Sequence, residues 1–144
     1  MKRSVLVAPL VVGMIGLAAG GAAAQRGGGA GVRPVAGPAP VQLLGQIEKG
    51  LWELKSRDGG TRRLCVADAA ALIQLYHPRQ RCDHQPMDSN SRSVTMRYTC
   101  AGHGQGRTTI QLDTPRSLSL DTQGVADGMP FSEQFDARRI GACN

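Results

Sequence analysis

Four cysteines in a chain of 144 residues, Cys65, Cys82, Cys100 and Cys143, constrain the fold more than any other feature. An even count in a small domain that leaves the cytoplasm reads as two disulfides. Three pairings are open on the sequence alone. The preferred reading joins Cys65 to Cys82, closing a short loop round a predicted helix. It then joins Cys100 to Cys143, pinning the C-terminus to a central strand. The spacings contain no C-x-x-C pair, which argues against zinc held by cysteines.

The N-terminus supplies the compartment that such bonds need. Lys2 and Arg3 precede an apolar run from Val5 to Ala19, and Ala22-Ala23-Ala24 presents small residues for cleavage before Gln25. This pattern is that of a secretory signal peptide over residues 1–24. The expected location is therefore the periplasm or the cell exterior, with a mature form that does not span the membrane. Residues 25–41, QRGGGAGVRPVAGPAPV, have no periodicity and read as a flexible Gly/Pro-rich lead. A folded domain follows over residues 42–144.

Within that domain the period is mostly two. Leu51 to Ser56 alternates Trp52 and Leu54 against Glu53 and Lys55, then Arg57-Asp58-Gly59-Gly60 turns the chain into a strand from Thr61 to Cys65. Asp68 to Tyr76 is rich in Ala and Leu, with Ala69, Leu72, Ile73 and Tyr76 on one helical stripe, and Pro78 stops it. Leu44 and Ile47 suggest one further helical turn. Residues 77–91 read as a polar loop. Ser93 to Cys100 is the clearest strand, with Val94, Met96, Tyr98 and Cys100 on one face. Arg107–Asp113, Ser117–Gln123 and Phe131–Ala137 complete the set, separated by turns at 101–106, Thr114-Pro115 and 124–130. The expected fold class is mainly β, at the margin of α+β. It is an antiparallel meander of about six short strands with one short helix and two disulfides, closed by the helix or curled into a half-barrel.

Three stretches carry a family resemblance. Gly50-Leu51-Trp52-Glu53 followed by Cys65, the run Tyr98-Thr99-Cys100-Ala101-Gly102, and the ending Arg139-Ile140-Gly141-Ala142-Cys143 resemble an exported bacterial family, domain of unknown function 3617. The resemblance spans roughly residues 44–143. Val66-Ala67-Asp68 stands where many members carry a Thr-Pro-Glu-like helix start. The resemblance implies an exported, mainly antiparallel domain. It implies no established activity, so no catalytic residue is carried over.

Candidate chemistry is sparse. His77, His84 and His103 lie beside turns or loops and form the one weak metal candidate, with Asp83 or Met87 assisting, although their spacing matches no metal motif. The ordinary reading of each is a solvated loop histidine. Glu53 is out of phase with Trp52 and Leu54 and is expected to face solvent. Glu133 is in phase with Phe131 and Phe135, so a partly buried, paired carboxylate is expected there. There is no G-x-S-x-G, the cysteines are taken up in disulfides, and Gly102-x-Gly104-x-Gly106 leads into a strand and not a helix. No cofactor is implied and catalysis is not indicated.

Charge points to binding more than to reaction. There are 17 Lys+Arg against 11 Asp+Glu; removing Lys2 and Arg3 leaves 15 against 11, a net +4, nearly all of it arginine. Arginines cluster at Arg62-Arg63, Arg79/Arg81 and Arg138-Arg139. Only five aromatics are present, with no stacking pair beside a basic groove, which disfavours nucleic acid. The expected function is an exported, non-enzymatic binding or envelope-support module. Its ligand would be apolar if a pocket opens beside Trp52, Tyr98 and Phe135. The alternatives are a metal or enzymatic protein using His77, His84 and His103, and a basic protein that binds an anionic envelope component.

Overall fold

The computed structural model describes residues 40–144. The expected leader and most of the flexible lead lie outside the described residues; a short helix, α1 (Pro40–Leu44), begins two residues inside that lead. Seven strands follow: β1 (Gly50–Ser56), β2 (Thr61–Val66), β3 (Cys82–Ser89), β4 (Ser93–Cys100), β5 (Gly104–Thr114), β6 (Ser117–Ala126) and β7 (Met129–Gly141), with α2 (Ala70–Ile73) between β2 and β3. The fold class is mainly β, as the alternation required.

The strands form one antiparallel sheet in the order β2-β1-β7-β6-β5-β4-β3. From β3 to β7 the chain is a meander. The first hairpin departs from it: β1 pairs with β2 on one side and with β7, the last strand, on the other. Local alternation cannot reveal such a pairing, because it joins residues near opposite ends of the chain.

α2 packs against both β2 and β5, which stand four places apart in the sheet. In a flat sheet those strands would lie about 19 Å apart, while a four-residue helix is only about 6 Å long. The sheet therefore curls around α2. It stays open, because the edge strands β2 and β3 do not pair with each other. Inside lies one core that includes Trp52, Leu54, Leu72, Tyr98, Ile110, Leu118 and Phe135. Thr108 ties the helix down: its hydroxyl donates to the Ile73 carbonyl (2.6 Å), so Thr122 donates to Thr108 Oγ1 across 2.8 Å.

Residues 77–91 differ from the expected loop, since Cys82–Ser89 is the edge strand β3. Its side chains are almost all exposed, so no alternation marks it. Backbone pairing with β4 holds it, in a register that places Cys82 directly opposite Cys100. A bulge between Pro86 and Asp88 and the proline itself blunt this edge against further pairing.

That register overturns the preferred disulfide pairing. The bonds are Cys82–Cys100 and Cys65–Cys143, with Cα–Cα separations of 4.2 and 5.6 Å. Once Cys82 faces Cys100, Cys65 on β2 is left with the C-terminus, which β7 delivers beside β1. Each bond thereby secures one edge of the open sheet.

Candidate functional site

The sequence-predicted residues do not assemble into one centre. His77 is buried, and both of its ring nitrogens are engaged: Nε2 lies 3.1 Å from the His103 carbonyl, and Nδ1 lies 3.2 Å from the Tyr98 hydroxyl. A carbonyl only accepts, so Nε2 carries the proton and the Tyr98 O–H donates to Nδ1. His103 reaches the expected triad only through its backbone, and its ring turns outward to Asp127 at 3.2 Å. His84 is exposed on β3, its ring centroid 6.3 Å from that of Tyr98. Asp83 and Met87 are exposed on the same strand. Among the described residues no three His, Cys, Asp or Glu side chains converge as metal ligands.

The apolar pocket expected beside Trp52, Tyr98 and Phe135 is replaced by packing. Trp52 and Tyr98 have no exposed surface and Phe135 retains 3%. Trp52 also donates its indole N–H to the Glu48 carbonyl at 2.9 Å. Glu53 lies on the opposite face of β1 from Trp52, near Lys55 and Arg63, each at 3.8 Å. Glu133 is half-buried on the inner face, in phase with Phe131 and Phe135, and lies beside the Tyr76 hydroxyl.

What the fold does assemble is a cleft of about 480 Å³ at the open seam, where residues of β2 and β3 face each other across α2. Leu64, Ala71, Leu75 and Pro78 give it an apolar lining. Arg62, Arg79 and Arg81 supply three cations, and His84 stands at the β3 side. One carboxylate, Asp68, lines the cleft, and its Oδ1 already accepts from the Ala70 N–H at the start of α2 (2.8 Å).

The loop that presents two of these arginines is held firmly. The buried Gln74 amide donates both of its hydrogens, to the His77 carbonyl and to the Gln80 carbonyl, each at 2.8 Å. His77 anchors the same loop to β4 and to the β4–β5 turn, and Cys82 bolts its end to Cys100. Between these fixings Arg79 takes φ +71°, a left-handed conformation unusual for arginine. Strain of this kind persists only where the surroundings over-determine the backbone.

Arg62 enters the cleft because it shares the inner face of β2 with Leu64 and Val66, whereas its neighbour Arg63 points outward toward Glu53. The Arg62 guanidinium sits 5.8 Å from the Tyr76 ring centroid. Tyr76 in turn stacks on Phe131 at 4.2 Å. Burial, then the neighbouring Glu133 carboxylate, pushes the Tyr76 hydroxyl up to about 12, and burial alone pushes Tyr98 up to about 12. Both phenols are thus held protonated, and all four cysteines are in disulfides. The arrangement is suited to gripping an anion beside an apolar surface.

Residues 47–143 match the family described as Protein of unknown function (DUF3617). The chain belongs to this family. The match covers β1 through β7 and both disulfides, so the DUF3617 region and the curled sheet are one and the same unit. The chain matches no curated protein and no solved structure. Within this DUF3617 domain, sequence reading missed Gln74, whose role depends on carbonyls brought to it by the loop. It also missed that strand alternation divides Arg62 from Arg63 between the two faces of β2.

Proposed function

We propose that this DUF3617 protein is an exported, non-enzymatic binding module whose seam cleft takes an amphiphile with an anionic head. The observation that carries this reading is the convergence of Arg62, Arg79 and Arg81 around an apolar lining, with the single carboxylate there engaged in capping α2. Arginine forks suit carboxylate and phosphate oxygens, and the leucines and Pro78 suit a hydrocarbon chain. Export is supported by the leader pattern before Gln25 and by two disulfides, which last in oxidising compartments. No helix among the described residues is long and apolar enough to cross a membrane.

Calorimetric titration tests the ligand class, with dodecyl phosphate, laurate and uncharged dodecyl maltoside used below their micelle concentrations. The anionic probes should bind, and R79Q/R81Q should weaken them by about tenfold or more while the melting temperature holds. Equal affinity for the uncharged probe, or no effect of the double substitution, would reject the cleft. Export is tested separately by N-terminal sequencing of protein from the cell envelope, where the expected first residue is Gln25.

A further inference from the structure

The seam cleft has one firm wall and one loose one. On the firm side β2 sends Val66 into the core and packs Leu64 against it, and α2 buries Leu72 and Ile73. On the other side stands β3, where the six residues Asp83 to Asp88 are exposed. Side-chain packing therefore holds this wall weakly. Its backbone pairs with β4 alone, as an edge strand does, and Cys82 is bonded to Cys100. The preceding loop is clamped separately. The Gln74 amide grips the His77 and Gln80 carbonyls, so Arg79 lies inside that clamp. Arg81 and His84 lie beyond it, on the side that the disulfide secures.

Cys82 is itself part of the cleft lining. It is partly exposed, while Cys100 retains 1% of its surface, so a thiol meets this bond from the cleft, at Cys82. Arg62, Arg79 and Arg81 favour the approach of an anionic thiolate there and the later release of Cys82 as one. Two carboxylates lie near. Asp68 is already bonded to the Ala70 N–H, and alternation turns Asp83, opposite Thr99, to the other face of β3. The sequence separation across this bond is 18, against 78 for Cys65–Cys143, so its opening frees one edge strand and leaves the other six paired.

We infer that Cys82–Cys100 is a redox latch on the seam cleft, which rests on the binding role proposed for that cleft and adds its regulation. A dithiol reductant opens the bond, and β3 swings away with Arg81 and His84. The step is a thiol–disulfide exchange. One thiolate of the reductant attacks Cys82 Sγ. The S–S bond breaks, and its electron pair leaves on Cys100 Sγ, which takes up a proton. The second thiol of the reductant then attacks the reductant's own sulfur in the mixed disulfide and releases Cys82, which is protonated in turn. The reductant ends as a disulfide, and the domain gains two electrons and two protons. Arg62 and Arg79 keep their places, so the open cleft offers an anionic head two arginines where the latched one offers three.

Hydrogen exchange and calorimetric titration test this on the oxidised protein, on the same protein after dithiothreitol, and on C82S/C100S. Alkylation and peptide mass show which bond has opened. Dithiothreitol is expected to open Cys82–Cys100 while the β circular dichroism signal persists. Amide exchange over Cys82–Ser89 should then rise by about 100-fold and be insensitive to low denaturant, the mark of local opening. C82S/C100S should stay folded, show the same local exchange, and bind dodecyl phosphate about tenfold more weakly than the oxidised parent. The latch is overturned if the bond opens only as the sheet unfolds, if β3 exchange rises only in step with β5 and β6, or if C82S/C100S does not fold. Unchanged affinity of C82S/C100S for dodecyl phosphate would overturn the latch and leave the cleft's binding role standing. No binding by the oxidised protein would overturn both.

Discussion

The Tyr98 hydroxyl donates to Nδ1 of His77 across 3.2 Å, between β4 and the loop that follows α2. This bond fixes the imidazole tautomer and leaves Nε2–H for the His103 carbonyl. Both groups are buried. Tyr98→Phe keeps the ring and removes the donor, which leaves a buried nitrogen without a partner. The expected loss is about 1–3 kcal/mol, read as a fall in melting temperature of roughly 5–15 °C. A melting temperature within a degree of the parent would show that the bond is not made.

The same tyrosine explains Gly106. The glycine is the register partner of Tyr98, and a Cβ there would stand 2.5 Å from the Tyr98 ring and hydroxyl. In an unobstructed strand Gly→Ala stabilises by about 0.4–1 kcal/mol through the unfolded chain. Here the contact reverses the sign. Gly106→Ala should destabilise by about 1–3 kcal/mol in chemical denaturation, because Tyr98 must leave its place against His77. A stabilised variant would refute the packing described.

Much of this fold was legible as period two. Trp52 and Leu54, Val94 to Cys100, and Leu118 and Leu120 announced their inward faces, and the buried positions agree. The Glu53 side of β1 was likewise readable. β3 was not legible, because an edge strand exposed on both faces has no alternation to show; only its backbone partners and the Cys82–Cys100 bond define it. The disulfide pairing was hidden with it. The seam cleft was illegible for a related reason: Arg62, Arg79 and Arg81 come together only when the sheet curls, and no spacing along the chain encodes that curl.

The two disulfides guard different edges, and their loops differ in length. Cys65–Cys143 spans 78 residues and Cys82–Cys100 spans 18. Loop-closure entropy alone assigns about 4–5 kcal/mol to the first and about 3 kcal/mol to the second. Removing the first pair by serine substitution should therefore lower stability more than removing the second. Denaturant titration of C65S/C143S and C82S/C100S provides the comparison. The reverse ranking would mean that structure retained in the unfolded chain, rather than chain entropy, governs these bonds.

Alkaline conditions should unfold the domain through its two inner tyrosines. Both are raised to about 12 in the fold against an ordinary value of 10.0, so above pH 10 the unfolded chain releases protons that the folded chain keeps. Stability is fully present below pH 10 and declines as pH rises toward 12. For the fully buried Tyr98 the decline is on the order of 2–3 kcal/mol. Ultraviolet titration at 295 nm should show phenolate absorbance rising together with loss of the β circular dichroism signal. Ionisation complete near pH 10 in a still-folded protein would contradict the burial of both hydroxyls.

Arg79 separates the needs of the fold from those of the cleft. Its φ of +71° favours glycine, while its side chain lines the cleft with Arg62 and Arg81. Arg79→Gly relieves the left-handed backbone but enlarges the entropy of the unfolded chain, so the net effect on stability should be small, from zero to about 1 kcal/mol in favour of the variant. If the arginine were kept for packing, the glycine variant would instead melt lower. If it is kept to hold an anion, affinity for dodecyl phosphate should fall by about tenfold while the melting temperature stays level or rises. Calorimetric titration and thermal melting on one preparation of Arg79→Gly decide between these outcomes, because the two readings move the melting temperature in opposite directions.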